Sequence, residues 1–203
     1  QPGKPIEDNV FSVFRSLGFS IELFAMQAEV GFYNRTHADH YKIQEEIAAE
    51  PYNAGKSIDD ILLVREMKAS IERWEQSGRK QPHLVILHTK GSHYQYSKRH
   101  PREFAVFQPE CLGDNRRCSR DELINSYDNS ILYTDHVLHE VIDTLRDRKA
   151  FMFYVSDHGE SLGELGLCLH GAPYMIAPGE QTHVPFVLWL GKDAKAAYSA
   201  ACL

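Results

Sequence analysis

The chain has 203 residues, 43% of them hydrophobic and 25% charged, with a formal net charge of −6. That balance is globular, with enough length to bury a core, and it is not the composition of a disordered tail. The acidic excess gives no electrostatic basis for nucleic acid or an anionic membrane surface as partner, and no apolar run approaches the roughly 20 residues that span a bilayer.

QPGKPIEDNV, residues 1 to 10, lacks the apolar core of a secretory leader and reads as an internal linker, so the sequence is expected to be a piece of a longer protein. Asp8 is placed to cap a short helix whose Val10, Phe11, Phe14 and Leu17 share a face, with Gly18 as its stop. FSIELFA, residues 19 to 25, reads as a strand, and residues 27 to 56 as an irregular excursion with short helical pieces. Ser57 and Asp60 have capping-box spacing ahead of a helix that sets Leu63, Val64, Met67, Ile71 and Trp74 on one stripe before Gly78. HLVILHT, residues 83 to 89, is apolar without alternation, which fits a strand buried on both faces of a parallel sheet.

Cys111 and Cys118 share a polar loop, PECLGDNRRC, whose spacing suits either a local disulfide in an oxidising compartment or two free thiols. Zinc on this pair is disfavoured, because no second close pair completes a four-ligand set. Ser119 and Glu122 form another capping box, and the long helix behind them repeats Ile124, Tyr127, Ile131, Leu138, Ile142 and Leu145 at helical spacing. Residues 150 to 155, AFMFYV, are a strand that runs into a DHGE turn and a loop rich in Gly and Pro, and VPFVLWL, residues 184 to 190, is the last strand. Helices alternating with short apolar strands predict an α/β fold, a mostly parallel sheet sandwiched by helices, in a single domain over residues 1 to 203.

Ligands of open α/β sheets bind outside the carboxyl ends of the strands. Polar clusters fall at such ends here: His88 to His93, Asp157 to Glu160, and Glu22 within or beyond the first strand. Asp157 and His158, being adjacent in a turn, can face one divalent cation through a carboxylate oxygen and an imidazole nitrogen, a donor mixture that suits zinc, with manganese also possible. Gly159 then permits a sharp turn or a close approach to a ligand. For a bare D-H-G tripeptide, a capping Asp beside a solvated His is the commoner outcome, so the wider context decides.

That context is DHGESLGE, residues 157 to 164, followed by Leu169-His170-Gly171 and Pro173-Tyr174. Together with LHTKGSH (87 to 93), the PEC…RRC loop, SYDNSILYTD (126 to 135) and APGEQTHVPFVLWL (177 to 190), it resembles the bacterial phosphoethanolamine transferases of the alkaline phosphatase and sulfatase superfamily. The resemblance implies that Asp157 and His158 are zinc ligands. It implies that His93 and His170 line the phosphate or a second metal position, with Glu160 orienting His158 or facing the substrate amine. It also implies that Cys111 and Cys118 are disulfide-bonded in a periplasmic domain. The intact protein is then expected in the bacterial inner membrane, taking the headgroup from phosphatidylethanolamine and passing it to an envelope lipid or glycan.

Two departures qualify the resemblance. Tyr94 and Gln95 stand where the family usually has Gly-Pro after the histidine. The family's transmembrane helices, its N-terminal strand with a metal-binding Glu, and its nucleophilic Thr have no counterpart in this sequence. The chain is therefore expected to be the C-terminal portion of the catalytic domain, incomplete at its N-terminal side and inactive alone. The alternatives are a sulfatase or phosphoglycerol transferase of the same fold, or a non-catalytic domain that retains it.

Overall fold

The structure, a computed structural model, describes residues 9–27, 37–114 and 117–201. It divides into two compact units, Gln1–Gly91 and Ser92–Leu203.

The first unit is built on a parallel sheet. Strand β1 (Ser20–Ala25) lies between β2 (His40–Lys42) and β3 (His83–His88), all parallel. The continuous apolar run of β3 divides between two clusters, as a strand packed on both faces must. Leu84 and Ile86 join Ile21 and Leu23 of β1 and Phe11 of helix α1 (Val10–Ser16), whereas Val85 and Leu87 join Phe24, Met26, Ile47, Leu62 and Leu63. Ile47 belongs to helix α2 (Gln44–Ala48), and the two leucines to helix α3 (Ile61–Gln76).

Several local signals land differently from their sequence reading. Asn9 caps α1, its side chain accepting from the Ser12 amide while the Ser12 hydroxyl reciprocates; Asp8 lies outside the described residues. β2 is a short strand in what reads as irregular sequence, whose residues 28–36 also lie outside the described ones. The Ser57 box does not form. Asp60 occupies the N-cap position of α3, and its carboxylate accepts from the amides of Lys90 and Gly91 beyond β3 instead of from its own helix. Glu22 sits inside β1 and pairs with Arg73 at 2.8 Å, which makes it a strut and not a group at a strand end.

The second unit is organised by helix α4 (Arg120–Leu145), opened by the expected Ser119–Glu122 capping box. Its buried stripe is Ser126, Asn129, Ser130, Tyr133, Val137 and Val141, while Ile131 is 45% exposed. The apolar repeat read from sequence is therefore one position out of phase along the helix, and over its first half the buried positions are largely polar residues that bind loop backbone. Asn129 accepts from the amides of Val106 and Phe107 and donates to the Phe107 carbonyl. Ser126 accepts from the amide of Cys111, whose carbonyl accepts from Ser97. The helix thus fixes the loop of residues 96 to 111 by satisfying its backbone.

Strand β4 (Phe151–Val155) pairs with the last strand not in parallel but antiparallel, Phe151 opposite Leu190. Between them lies a small hairpin of β5 (Ser161–Leu162) and β6 (Cys168–Leu169), then the single helical turn α5 (Gly179–Thr182). The last strand is β7 (Phe186–Leu190), followed by helix α6 (Lys192–Ala201).

Cys111 and Cys118 form a disulfide. Closing so short a loop limits its contribution to about 2–3 kcal/mol. Alkylation of native, unreduced protein is expected to leave both sulfurs unlabelled, and reduction to lower the urea midpoint; labelling of both in native protein would contradict the pairing. Cys168 is a free, exposed thiol, and Cys202 lies outside the described residues.

Candidate functional site

The candidate site begins where β4 ends. Asp157 is 79% exposed at its side chain and stands at the strand tip with its Oδ1 3.8 Å from His158 Nε2. His158 Nδ1 lies 2.9 Å from the Gly159 carbonyl. A carbonyl only accepts, so Nδ1 donates to it and Nε2 is the ring nitrogen on the Asp157 side. Tetrahedral ligands at about 2 Å stand about 3.3 Å apart, so the exposed Asp157 side chain would close by about half an ångström to share a cation with His158.

Gly159 earns its place through packing. A Cβ there would stand 2.0 Å from the Glu180 carbonyl oxygen, and the Gly159 amide donates to Gln181 O at 2.9 Å. The close neighbour is thus the α5 turn, where the sequence reading offered a sharp turn or a ligand. Gln181 is buried at 6%; it donates to Ser161 Oγ and accepts from the Ala172 amide, tying both ends of the hairpin to α5.

The hairpin register brings Glu160 and His170 together. Ser161 pairs with Leu169 and Leu162 with Cys168, so the residues one step outside, Glu160 and His170, face each other. His170 Nδ1 hydrogen-bonds Glu160 Oε1. The His170 ring also stacks on His158, centroids 3.7 Å apart at 26°. His158, Glu160 and His170 form a group whose ligand atoms all lie within 4.8 Å of one another. Glu160 is the buried member, with 4% side-chain exposure, and Tyr96 OH donates to its Oε2 at 2.5 Å.

The sulfatase family model matches residues 1–201. The chain belongs to the sulfatase family. Within that family it is 50% identical over 184 residues to the Kdo(2)-lipid A phosphoethanolamine 7''-transferase of Escherichia coli strain K12, an alignment covering 91% of this chain and 32% of that protein. The integral membrane lipooligosaccharide phosphoethanolamine transferase A of Neisseria meningitidis superposes with a TM-score of 0.79 at 31% identity, over 95% of this chain and 35% of its own. The C-terminal periplasmic domain of phosphoethanolamine transferase EptC from Campylobacter jejuni does so at 0.76 and 32% identity, over 95% of this chain and 60% of its own. The chain spans about a third of the length of the curated relative it matches. The resemblance to phosphoethanolamine transferases and the alkaline phosphatase and sulfatase-like α/β fold both stand.

Of the site residues that the resemblance implies, Asp157, His158, Glu160 and His170 lie together. His93 stands on an exposed loop, and among the described residues none hydrogen-bonds its ring; Arg99 instead holds the carbonyls of His93 and Tyr94. His100 is buried against Glu110 at 2.9 Å, His136 packs between Phe104 and Tyr133, and His139 pairs with Asp143 on its own helix. Tyr96 and Gln181 were missed. Neither has a local signal, since their partners lie 64 and 20 positions away.

Proposed function

We propose that this chain is the C-terminal portion of the catalytic domain of a zinc-dependent phosphoethanolamine transferase, both units belonging to one sulfatase-like domain. The headgroup would come from phosphatidylethanolamine and pass to a lipid A-type lipid or glycan of the envelope. The observation that carries this reading is the pairing of Asp157 with His158 Nε2 at the tip of β4, beside the His170–Glu160 pair, in a chain half identical to a lipid A phosphoethanolamine transferase. The names of the Neisseria and Campylobacter neighbours support a bacterial inner-membrane protein whose catalytic part is periplasmic.

Asp157 and His158 fit zinc: one oxygen and one nitrogen donor, brought to ligand spacing by a small closure of Asp157, with the imidazole Nδ1 turned to Gly159 O. Bound there, zinc would supply Lewis acidity, lowering the pKa of a hydroxyl nucleophile and drawing charge from the phosphoryl group. His93 would donate a hydrogen bond to a phosphoryl oxygen as negative charge builds on it, and His170, its Nδ1–H turned to Glu160, would line the phosphate site with Nε2 as an acceptor for a proton of the headgroup or of the incoming hydroxyl. Glu160 would hold His170 in orientation for that task. The nucleophile would be a Thr outside this sequence.

The test compares this chain with the longer protein. With phosphatidylethanolamine, a lipid A acceptor and zinc, the longer protein is expected to release diacylglycerol and modify the acceptor, and the 203-residue chain to do neither. Turnover by this chain alone, or a longer protein that leaves phosphatidylethanolamine intact and instead hydrolyses a supplied aryl sulfate, would overturn the reading.

A further inference from the structure

We propose that Tyr96 is a positioning residue for this site, its phenol clamping the Glu160 carboxylate so that Glu160 holds the His170 imidazole with Nε2 free to face the substrate; the catalytic half of the statement rests on the transferase reading above. Tyr96 is 2% exposed and starts the short 3-10 turn Tyr96–Lys98. Its place is set from three sides. Gln95 enters the turn with φ +62°, in the left-handed region, Ser97 is tied to the Cys111 carbonyl, and the Tyr96 ring packs edge to face on Tyr127 of α4 at 5.2 Å. A phenol fixed this way delivers its O–H to one point, and that point is Glu160 Oε2.

Glu160 is then engaged on both oxygens, Oε2 by Tyr96 and Oε1 by His170 Nδ1. This separates its role from that of Asp157, whose exposed carboxylate faces His158 Nε2. Although Glu160 stands within the ligand-sized group with His158 and His170, its geometry is that of a support behind a histidine and not of a ligand. Burial, and then the Glu160 carboxylate, push the Tyr96 phenol well above its ordinary range, so it remains a donor. A carboxylate that accepts from one side and faces Nδ1 on the other keeps the His170 proton on Nδ1. The same bond joins the two histidine-bearing segments: the loop of His93, three residues ahead of Tyr96, and the hairpin of His170.

Tyr96→Phe deletes one oxygen and keeps the ring against Tyr127, so it tests the clamp with little change in packing. In the 203-residue chain, imidazole nitrogen chemical shifts are expected to show His170 as the single Nδ1–H tautomer, and to show a mixture in Tyr96→Phe. Glu160→Gln, which leaves the tyrosine in place, is expected to disturb the same His170 signals. In the longer protein Tyr96→Phe is expected to lower kcat about tenfold with KM nearly unchanged. Adding it to Glu160→Gln is expected to cost little more, because both act through one histidine. An unchanged His170 tautomer in both variants would overturn the clamp, whatever the longer protein does. A clamp intact by NMR in a longer protein without transferase activity would instead overturn the transferase reading.

Discussion

His158→Ala in the longer protein is expected to reduce headgroup transfer at least a hundredfold, on the order of what is lost even when a group one step behind a metal ligand is removed. The substitution takes away Nε2, the nitrogen facing Asp157, and also the ring on which His170 stacks. On the proposed reading the site would lose a zinc ligand and a support for His170 together. The variant should still fold: the His158 side chain is one-third exposed, and its own bond is to the neighbouring Gly159 carbonyl, so a stability change within about 1 kcal/mol is expected. Asp157→Asn, at a side chain exposed to 79%, should match the loss of activity with even less effect on stability. Initial rates of diacylglycerol release, read beside thermal melts, check both. Transfer within a fewfold of wild type in His158→Ala would remove this residue from the metal site.

The sequence carried the site unevenly. Asp157, His158 and Glu160 are legible because the elements that aim them are local: an apolar strand ends, and the next residues must leave it together. His170 is legible through the resemblance, but its meeting with Glu160 depends on a hairpin of two residues a side, too short for an alternating pattern. The cue available was Gly163 and Gly166 flanking a two-residue tip, both with positive φ. Tyr96 could not be read, since its function exists only once α4 has fixed a loop 64 positions from Glu160.

The fold divides in the same way. The run of β3 and the Ser119–Glu122 box were legible because one residue type in one pattern has few alternative uses. The phase of α4 was not, because Ser126 and Asn129 are buried for the sake of loop amides that no hydrophobic count registers. Nor was the Asp60 N-cap position, since a carboxylate with capping spacing served amides 30 and 31 positions away.

Glu66 is the sharpest case of a residue that pattern reading passes over, and it leads to the largest stability effect expected in the chain. It lies on the buried side of α3 beside Met67 and is fully buried at 0% exposure. Lys42 Nζ reaches Glu66 Oε2 at 3.0 Å and also bonds Glu50, while Tyr52 OH donates to Glu66 Oε1 at 2.6 Å. Burial opposes the Lys42 charge, but its bonds to Glu50 and Glu66 outweigh burial and raise its pKa. Burial and the Glu66 carboxylate push the Tyr52 phenol up to about 12, which keeps it a donor. Glu66→Ala leaves Lys42, whose side chain is only 14% exposed, with Glu50 as its one remaining carboxylate beside a long contact to the Tyr52 hydroxyl, and takes from Tyr52 its carboxylate acceptor. Breaking one side of such a pair is expected to cost about 3–5 kcal/mol, measured as a shift in the urea midpoint. The double variant Lys42→Met, Glu66→Leu removes both charges and should recover most of that loss, because two matched apolar side chains carry no desolvation penalty. A Glu66→Ala cost below about 1 kcal/mol would mean that water reaches Lys42 as soon as its partner is gone.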